Sequence, residues 1–262
     1  MKHTFCADLS REQSDPLAGS AAHAELNLLI SWPRAKWLRK LRHASDMNDT
    51  LKQTLDDIAD SGLRINLIQQ PGMDKHQHQV FLMPERRRFL IARHHLEDFL
   101  SALQAGNSLA EWEQPPLEKD LLLCCTLGTK DKCCAKYGYQ TYKALAQTVA
   151  DHQLPFEVWE SSHLGGCRGS SQLTPAQQYA ELAALTHLST QLSTDQHQPQ
   201  LTLLDDSGSE QERLIRWQWQ RGNTQGQLSV RCQAITIMRI DTCADLEKGP
   251  TESTVWHITQ VS

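Results

Sequence analysis

Asp120-Leu-Leu-Leu-Cys-Cys125 opens the segment DLLLCCTLGTKDKCCAKYGYQTYKALAQTVADHQLPFEVW, residues 120–159. Asp120 to Cys125 is a short, nearly continuous apolar run, as a strand buried on both faces requires. Cys134 to Ala150 carries Ala135, Tyr139, Leu145, Ala146 and Val149 as the apolar positions of a helix. Pro155 to Trp159 reads as a second strand. A strand, a helix and a strand over this span make a crossover unit, which sets the two strands parallel. The chain therefore belongs to the α/β class.

Upstream, Leu26 to Ser31 is an apolar run of strand length. Asp49 or Thr50 caps a helix whose apolar positions are Leu51, Leu55, Ile58 and Ala59, stopped by Gly62. Leu63 to Ile68 alternates as a strand. Val80–Met83 and Phe89–Ala92 give two more strands around a polar Pro84–Arg88 turn, and His95 to Ala105 is a short helix. Gly106 to Lys119, with Gly, Asn, Ser and two prolines, reads as a linker. The expected domains are thus 1–113, a smaller α/β unit, and 114–262. Downstream, Thr174-Pro175 supplies an N-cap and first turn for a helix with Tyr179, Leu182, Leu185 and Leu188 on one face. Strands follow at Gln200–Leu204, Leu214–Gln220, Gln227–Arg231, Ala234–Ile240 and Thr254–Ile258.

The chain has 262 residues, 26 basic and 31 acidic side chains and a formal charge of −5. With 39% hydrophobic residues and a mean hydropathy of −0.51, it has enough apolar material for a core but nothing to span a bilayer. The first residues lack the apolar stretch of a secretory signal, and the mild acidity argues against a nucleic-acid face. The expectation is a soluble cytoplasmic protein with neither membrane nor nucleic acid as partner. Eight cysteines are too few for a disulfide scaffold, which a reducing cytosol would not keep. Cys124, Cys125, Cys133, Cys134 and Cys167 are clustered, which points to metal or redox chemistry. Cys6, Cys232 and Cys243 are scattered, and Cys232 and Cys243 read as small core residues.

The loop Cys125-Thr-Leu-Gly-Thr-Lys-Asp-Lys-Cys-Cys134 follows one strand, and His163-Leu-Gly-Gly-Cys167 follows the next. In a parallel sheet both loops emerge at the carboxyl ends of neighbouring strands, where such folds place ligands. Two cysteines from the first loop, with the histidine and cysteine of the second, offer four soft N and S donors. That set suits zinc or an iron–sulfur cluster. Gly128, Gly165 and Gly166 permit close backbone approach, and a helix start beside Cys134 favours thiolate over thiol. Structural zinc usually takes tighter cysteine pairs than this C-x₈-C, which places [2Fe–2S] ahead of zinc. Spacing alone leaves the register open, because Cys124 and Cys133 are as far apart as Cys125 and Cys134.

At these residues the chain resembles the sucrase/ferredoxin-like proteins, a branch of the thioredoxin-like [2Fe–2S] ferredoxins. Cys6-x-x-Leu-Ser-Arg with Asp15-Pro-Leu-Ala-Gly-Ser-Ala21 looks like the family's opening motif, and Leu28-Leu-Ile with Trp37 is similar to its first strand and the tryptophan after it. CTLGTKDKCCAKYG (125–138) resembles its C-T-H-G-x-x-D-x-x-C signature, and His163-Leu-Gly-Gly-Cys167-Arg168 falls where the family carries H-x-G-G-H-R. The resemblance implies a thioredoxin-like ferredoxin domain at 114–262, preceded by a unit that it makes a degenerate thioredoxin-like one. It fixes the register on Cys125 and Cys134 and implies a [2Fe–2S] cofactor held by Cys125, Cys134, His163 and Cys167. Two departures stand out. Cys167 replaces the usual second histidine, and the hairpin that usually follows is shortened, because Gly169 to Thr174 leads into a helix.

The function expected is a non-catalytic electron carrier or redox sensor that serves a redox partner protein. A thiol-redox protein and a zinc-stabilised binding module are the alternatives. Glycoside hydrolysis is not expected, since no carboxylate pair stands out near the motif. Asp131 matches the family and would brace the loop, and Arg168 would face the charge of a cluster or a partner. His76, His78, His94 and His95 read as surface histidines, Arg86–Arg88 as a solvated turn, and Trp217 and Trp219 as packing residues.

Overall fold

The structure is a computed structural model that describes residues 4–13, 22–164, 170–171, 173–191 and 199–262. In chain order its elements are α1 (Cys6–Glu12), β1 (Ala22–His23), β2 (Asn27–Ser31), α2 (Asp49–Asp60), β3 (Arg64–Gln69), β4 (Gln77–Met83), β5 (Arg87–Ala92), α3 (Leu96–Gln104) and β6 (Glu113–Gln114). They continue with β7 (Asp120–Cys125), a π-helical turn (Cys134–Gly138), α4 (Tyr139–Asp151), β8 (Phe156–Ser161), β9 (Ser170–Ser171), α5 (Pro175–Gln191), β10 (Gln200–Gly208), β11 (Glu212–Arg221), β12 (Thr224–Arg239) and β13 (Thr251–Val261). Contacts divide the chain into two units. The first comprises Met1–Ala7, Ala24–Cys167 and Thr242–Ala244, and the second Asp8–His23, Arg168–Asp241 and Asp245–Ser262.

The first unit is built on a seven-stranded mixed sheet in the order β6-β5-β4-β2-β3-β8-β7. β2 and β3 are parallel, as are β7 and β8, and β3 meets β8 antiparallel. The alternation of β2 explains the layering. Leu28 and Ile30 enter a core with Leu55 and Ile58 of α2 and Phe99 of α3, while Leu29 joins Ile68, Phe81 and Trp159 in a separate cluster. α4 covers the side of β7 and β8 that carries Cys124 and Val158, with Tyr142 packed between. α2 starts at Asn48, whose side chain accepts a 2.7 Å hydrogen bond from the Leu51 N–H; Asp49 and Thr50 lie inside the helix.

The crossover read from residues 120–159 is present as β7, α4 and β8. The division of contacts does not fall at residue 113/114. The expected linker contains β6, which pairs with β5, and the strands before and after it belong to one sheet. Glycine and proline there mark turns at the sheet's margin rather than a gap between domains.

The second unit contains a four-stranded antiparallel sheet, β10-β11-β12-β13, with α5 against it, and the short parallel pair β1–β9. The buried positions of α5 are Ala176, Tyr179, Ala180, Ala184 and Leu188, and Leu182 is exposed. Ala176, Ala180 and Ala184, together with the expected Leu188, form the face toward Ile215, Trp217 and Val230, because small side chains let a helix lie close on a sheet. The strands expected at Gln227–Arg231 and Ala234–Ile240 are a single strand, β12. A shift in register between Arg231 and Cys232 against β13 absorbs the irregular pattern.

Candidate metal centre

Cys125 ends β7 directly opposite Ser161, the last residue of the parallel β8, and the Thr126 N–H donates to the Ser161 carbonyl at 3.0 Å. The two following loops therefore leave side by side. The first returns at Cys134, whose N–H donates to the Asp131 carbonyl at 3.1 Å as the π-helical turn begins. Such turns are uncommon and recur at functional sites. This one brings Gly138 against the end of β7, where a Cβ would collide with the Cys125 carbonyl oxygen. Gly128 is also tightly placed, since a Cβ there would lie 2.6 Å from the Ala135 Cβ. Both positions need glycine for space, at backbone angles open to any residue.

The result is a convergence of Cys125, Cys134 and His163. The His163 Nδ1 lies 3.6 Å from the Cys125 Sγ and 3.5 Å from the Cys134 Sγ, and the three ligand atoms form a group within 4.8 Å of one another. Cys134 and His163 are buried, and Cys125 is half-buried. A hydrogen bond from Cys134 lowers the Cys125 pKa, against the opposing effect of burial and with help from backbone bonds at Leu164 and Leu127. Burial lowers the His163 pKa and keeps its imidazole neutral, the form in which histidine ligates.

His163 is positioned from β3. The Asn66 Nδ2 donates to the His163 carbonyl at 3.0 Å and reaches the Ser162 carbonyl at 3.3 Å and the Ser162 Oγ at 3.1 Å. The Leu67 N–H donates to the same Oγ at 3.0 Å, and the Ser162 N–H returns a bond to the Leu67 carbonyl at 2.7 Å. Asn66 is 1% exposed and is the positioning residue that the sequence reading missed. Its signal was an amide inside the apolar strand run Leu63–Ile68, a placement that requires partners.

Cys167 and Arg168, the other half of the second motif, lie outside the described residues, as does Asp15–Ala21 of the opening motif. Cys124 packs with Tyr142 and Val158, and burial raises its pKa. Cys133 belongs to a different group, with Cys6, Cys243 and Asp131. Cys243 is therefore not the strand core residue expected, since it lies between β12 and β13 beside two other thiols. His76, His94 and His95 are exposed, but His78 is not a surface histidine. It is 2% exposed, stacks on Trp32 at 4.6 Å and places its Nδ1 2.6 Å from the Ser31 carbonyl oxygen. Arg86 and Arg87 are engaged by Asp120 and Glu113.

A match to the sucrase/ferredoxin-like family covers residues 17–171, more than half of the chain and all of the site above. The chain belongs to this family. No curated protein and no solved structure matches it. The cysteines and histidine of this member stand close enough to bind a metal. The donors are soft, and two fully buried hydroxyls at the ends of β7 and β8, Thr126 Oγ1 and Ser161 Oγ, have no hydrogen-bond partner among the described residues. Buried polar atoms without a partner are costly, so these leave capacity for a bound group. The residues present thus fit a thiophilic metal or an iron–sulfur cluster. No described helix is long and apolar enough to cross a membrane.

Proposed function

We propose that the chain is an electron carrier or redox sensor that holds one [2Fe–2S] cluster through Cys125, Cys134, His163 and Cys167. One observation carries the reading. In a sucrase/ferredoxin-like chain, the loops after two adjacent parallel strands bring two thiols and a neutral imidazole to one point. When bound, such a cluster accepts and releases one electron at a time. The residues around it hold the ligands still: Gly138 admits the turn that carries Cys134, and Asn66 fixes the backbone of His163. A neutral imidazole in place of a thiolate removes negative charge and raises the potential relative to four cysteines. The partner would be another redox protein in the same compartment, taken to be the cytoplasm.

A single zinc ion is the second reading, favoured by the separations of 3.5 and 3.6 Å from the His163 Nδ1 to the two sulfurs. Donors on one tetrahedral zinc stand about 3.6 Å apart for S and N.

Absorption spectroscopy with iron, sulfide and zinc analysis on anaerobically prepared protein tests both. The expected result is a red-brown protein with iron and sulfide in equal amounts, both lost in Cys134→Ser. A colourless protein that loses one equivalent of zinc in Cys134→Ser would support the second reading and overturn the first. A metal-free protein with a reversible Cys125–Cys134 disulfide would overturn both. In the coloured protein, His163→Cys is expected to retain the cluster and lower its midpoint potential by on the order of 100 mV.

A further inference from the structure

Cys6, Cys133 and Cys243 form a second convergence, made by three remote stretches of the chain that all belong to the first unit. The Cys6 and Cys133 sulfurs are 3.4 Å apart, Cys133 and Cys243 3.3 Å, and Cys243 and Cys6 3.6 Å. This is a nearly equilateral triangle. Its edges are far longer than the ~2.05 Å of a disulfide, which would take two thiols and leave the third. They are close to the about 3.8 Å that separates two thiolates on one tetrahedral zinc with 2.3 Å bonds.

Asp131 makes the cluster unlike an ordinary apolar core. Asp131 is 3% exposed, and its carboxylate belongs to the same group of ligand atoms. One oxygen accepts from the Cys133 N–H at 2.8 Å and the other from the Cys243 N–H at 2.9 Å. A single buried carboxylate thus fixes the backbones of two of the three thiol residues. Burying a carboxylate among sulfur atoms is costly unless a positive charge or strong donors compensate it. Hydrogen bonds of this kind also orient ligands at metal centres.

We propose that Cys6, Cys133, Cys243 and Asp131 bind a thiophilic divalent cation, zinc by preference, at a site separate from that of Cys125, Cys134 and His163. Three sulfurs exclude the hard cations magnesium and calcium, and the near-tetrahedral spacing suits an ion without a strong geometric preference of its own. Each ligating thiol releases its proton to solvent as the ion binds. The ion would crosslink positions separated by 127, 110 and 237 residues, a structural role that needs no open coordination position.

The test uses the full chain, prepared anaerobically with zinc supplied during expression. Zinc is expected at about one equivalent per chain in wild type and in Cys134→Ser, and below a tenth of that in Cys6→Ser and Cys243→Ser. Equal zinc in all four proteins, or zinc lost from Cys134→Ser together with Cys6→Ser, would overturn the site. A second measurement needs no variant and so does not depend on altered chains folding. The reduced, metal-stripped protein is titrated with Zn²⁺ and its alkylation mapped by peptide mass. Joint protection of Cys6, Cys133 and Cys243 by one equivalent supports the site. A disulfide between any two of them that zinc does not prevent, or alkylation unchanged by zinc, refutes it. Iron content plays no part in either readout, so failure here leaves the iron–sulfur proposal standing, and the reverse also holds.

Discussion

Cys133 and Cys134 are consecutive in the chain yet belong to different clusters. The partners of Cys134 are 9 and 29 residues away in sequence at most, on loops that two adjacent parallel strands deliver to the same edge. The partners of Cys133 lie 127 and 110 residues away, near opposite ends of the described chain. The first cluster is a product of local topology: once β7 and β8 pair, its loops have nowhere else to go. The second depends on closing very long loops, whose entropic cost grows only slowly with length, by about 0.6 kcal/mol for each doubling. Chemistry that looks like one cysteine-rich loop is therefore two assemblies with different origins.

The sharpest way to break this distinction is to exchange the neighbours. Cys134→Ser is expected to abolish metal binding at the first cluster and leave the alkylation pattern of Cys6 and Cys243 unchanged. Cys133→Ser is expected to do the reverse. If both substitutions empty both clusters, the two act as one site. Next in size is Gly138→Ala, where the added Cβ must displace the backbone of Cys125. Overpacking of this kind costs about 3 kcal/mol, measurable by urea unfolding, and should lower metal occupancy at Cys125 and Cys134 before it affects Cys6 and Cys243. Wild-type stability in this variant would show that β7 and the turn are not pressed together.

Asp56, paired with Lys40, Arg42 and His43, provides the smallest effect. Burial alone would raise its pKa, but hydrogen bonds from Lys40, Arg42 and His43 outweigh it and hold the carboxyl at about 2. Because its folded value lies below its ordinary one of 3.8, the stabilisation is complete above pH 3.8 and fades as pH falls toward 2. Lys40 is half exposed, so solvent screens the pairing. Asp56→Asn should cost about 1 kcal/mol at pH 7. The difference from wild type should shrink as pH drops from about 4 to about 2, with metal content equal in variant and wild type at pH 7. A deficit that persists at the lowest pH would trace the loss to packing instead of charge.

Residues 120–159 were legible because three signals agreed there: an apolar run, a helical period and a second run, joined by a cysteine loop. Cys125, Cys134 and His163 were legible for the same reason, as they lie at or just after strand ends that the pattern itself defines; Gly165–Arg168 of the second motif lie outside the described residues. Asn66 and His78 were not legible in that way. Both are polar residues buried in strands and partnered from a distant element: Asn66 by the Ser162–His163 backbone and the His78 Nδ1 by the Ser31 carbonyl, while the His78 Nε2 has no partner among the described residues. Cys6 and Cys243 were obscured by sequence separation, which no local period reports. On α5 the expected Tyr179 and Leu188 are buried but Leu182 is exposed, because the sheet selected the intervening alanines, a choice made by packing distance and invisible in hydropathy.

The adjacency of Cys133 and Cys134 at the entrance to the π-helical turn also bears on how this protein can change over generations. Successive residues at a helix start point about 100° apart around its axis. Removing or adding one residue between Asp131 and Cys133 would rotate both thiols together, turning each away from its own partners. Length variation in this loop would therefore damage both clusters at once, whereas point substitution can remove one and spare the other. Descendants of this chain can lose either assembly cleanly only through a change of side chain at a fixed loop length.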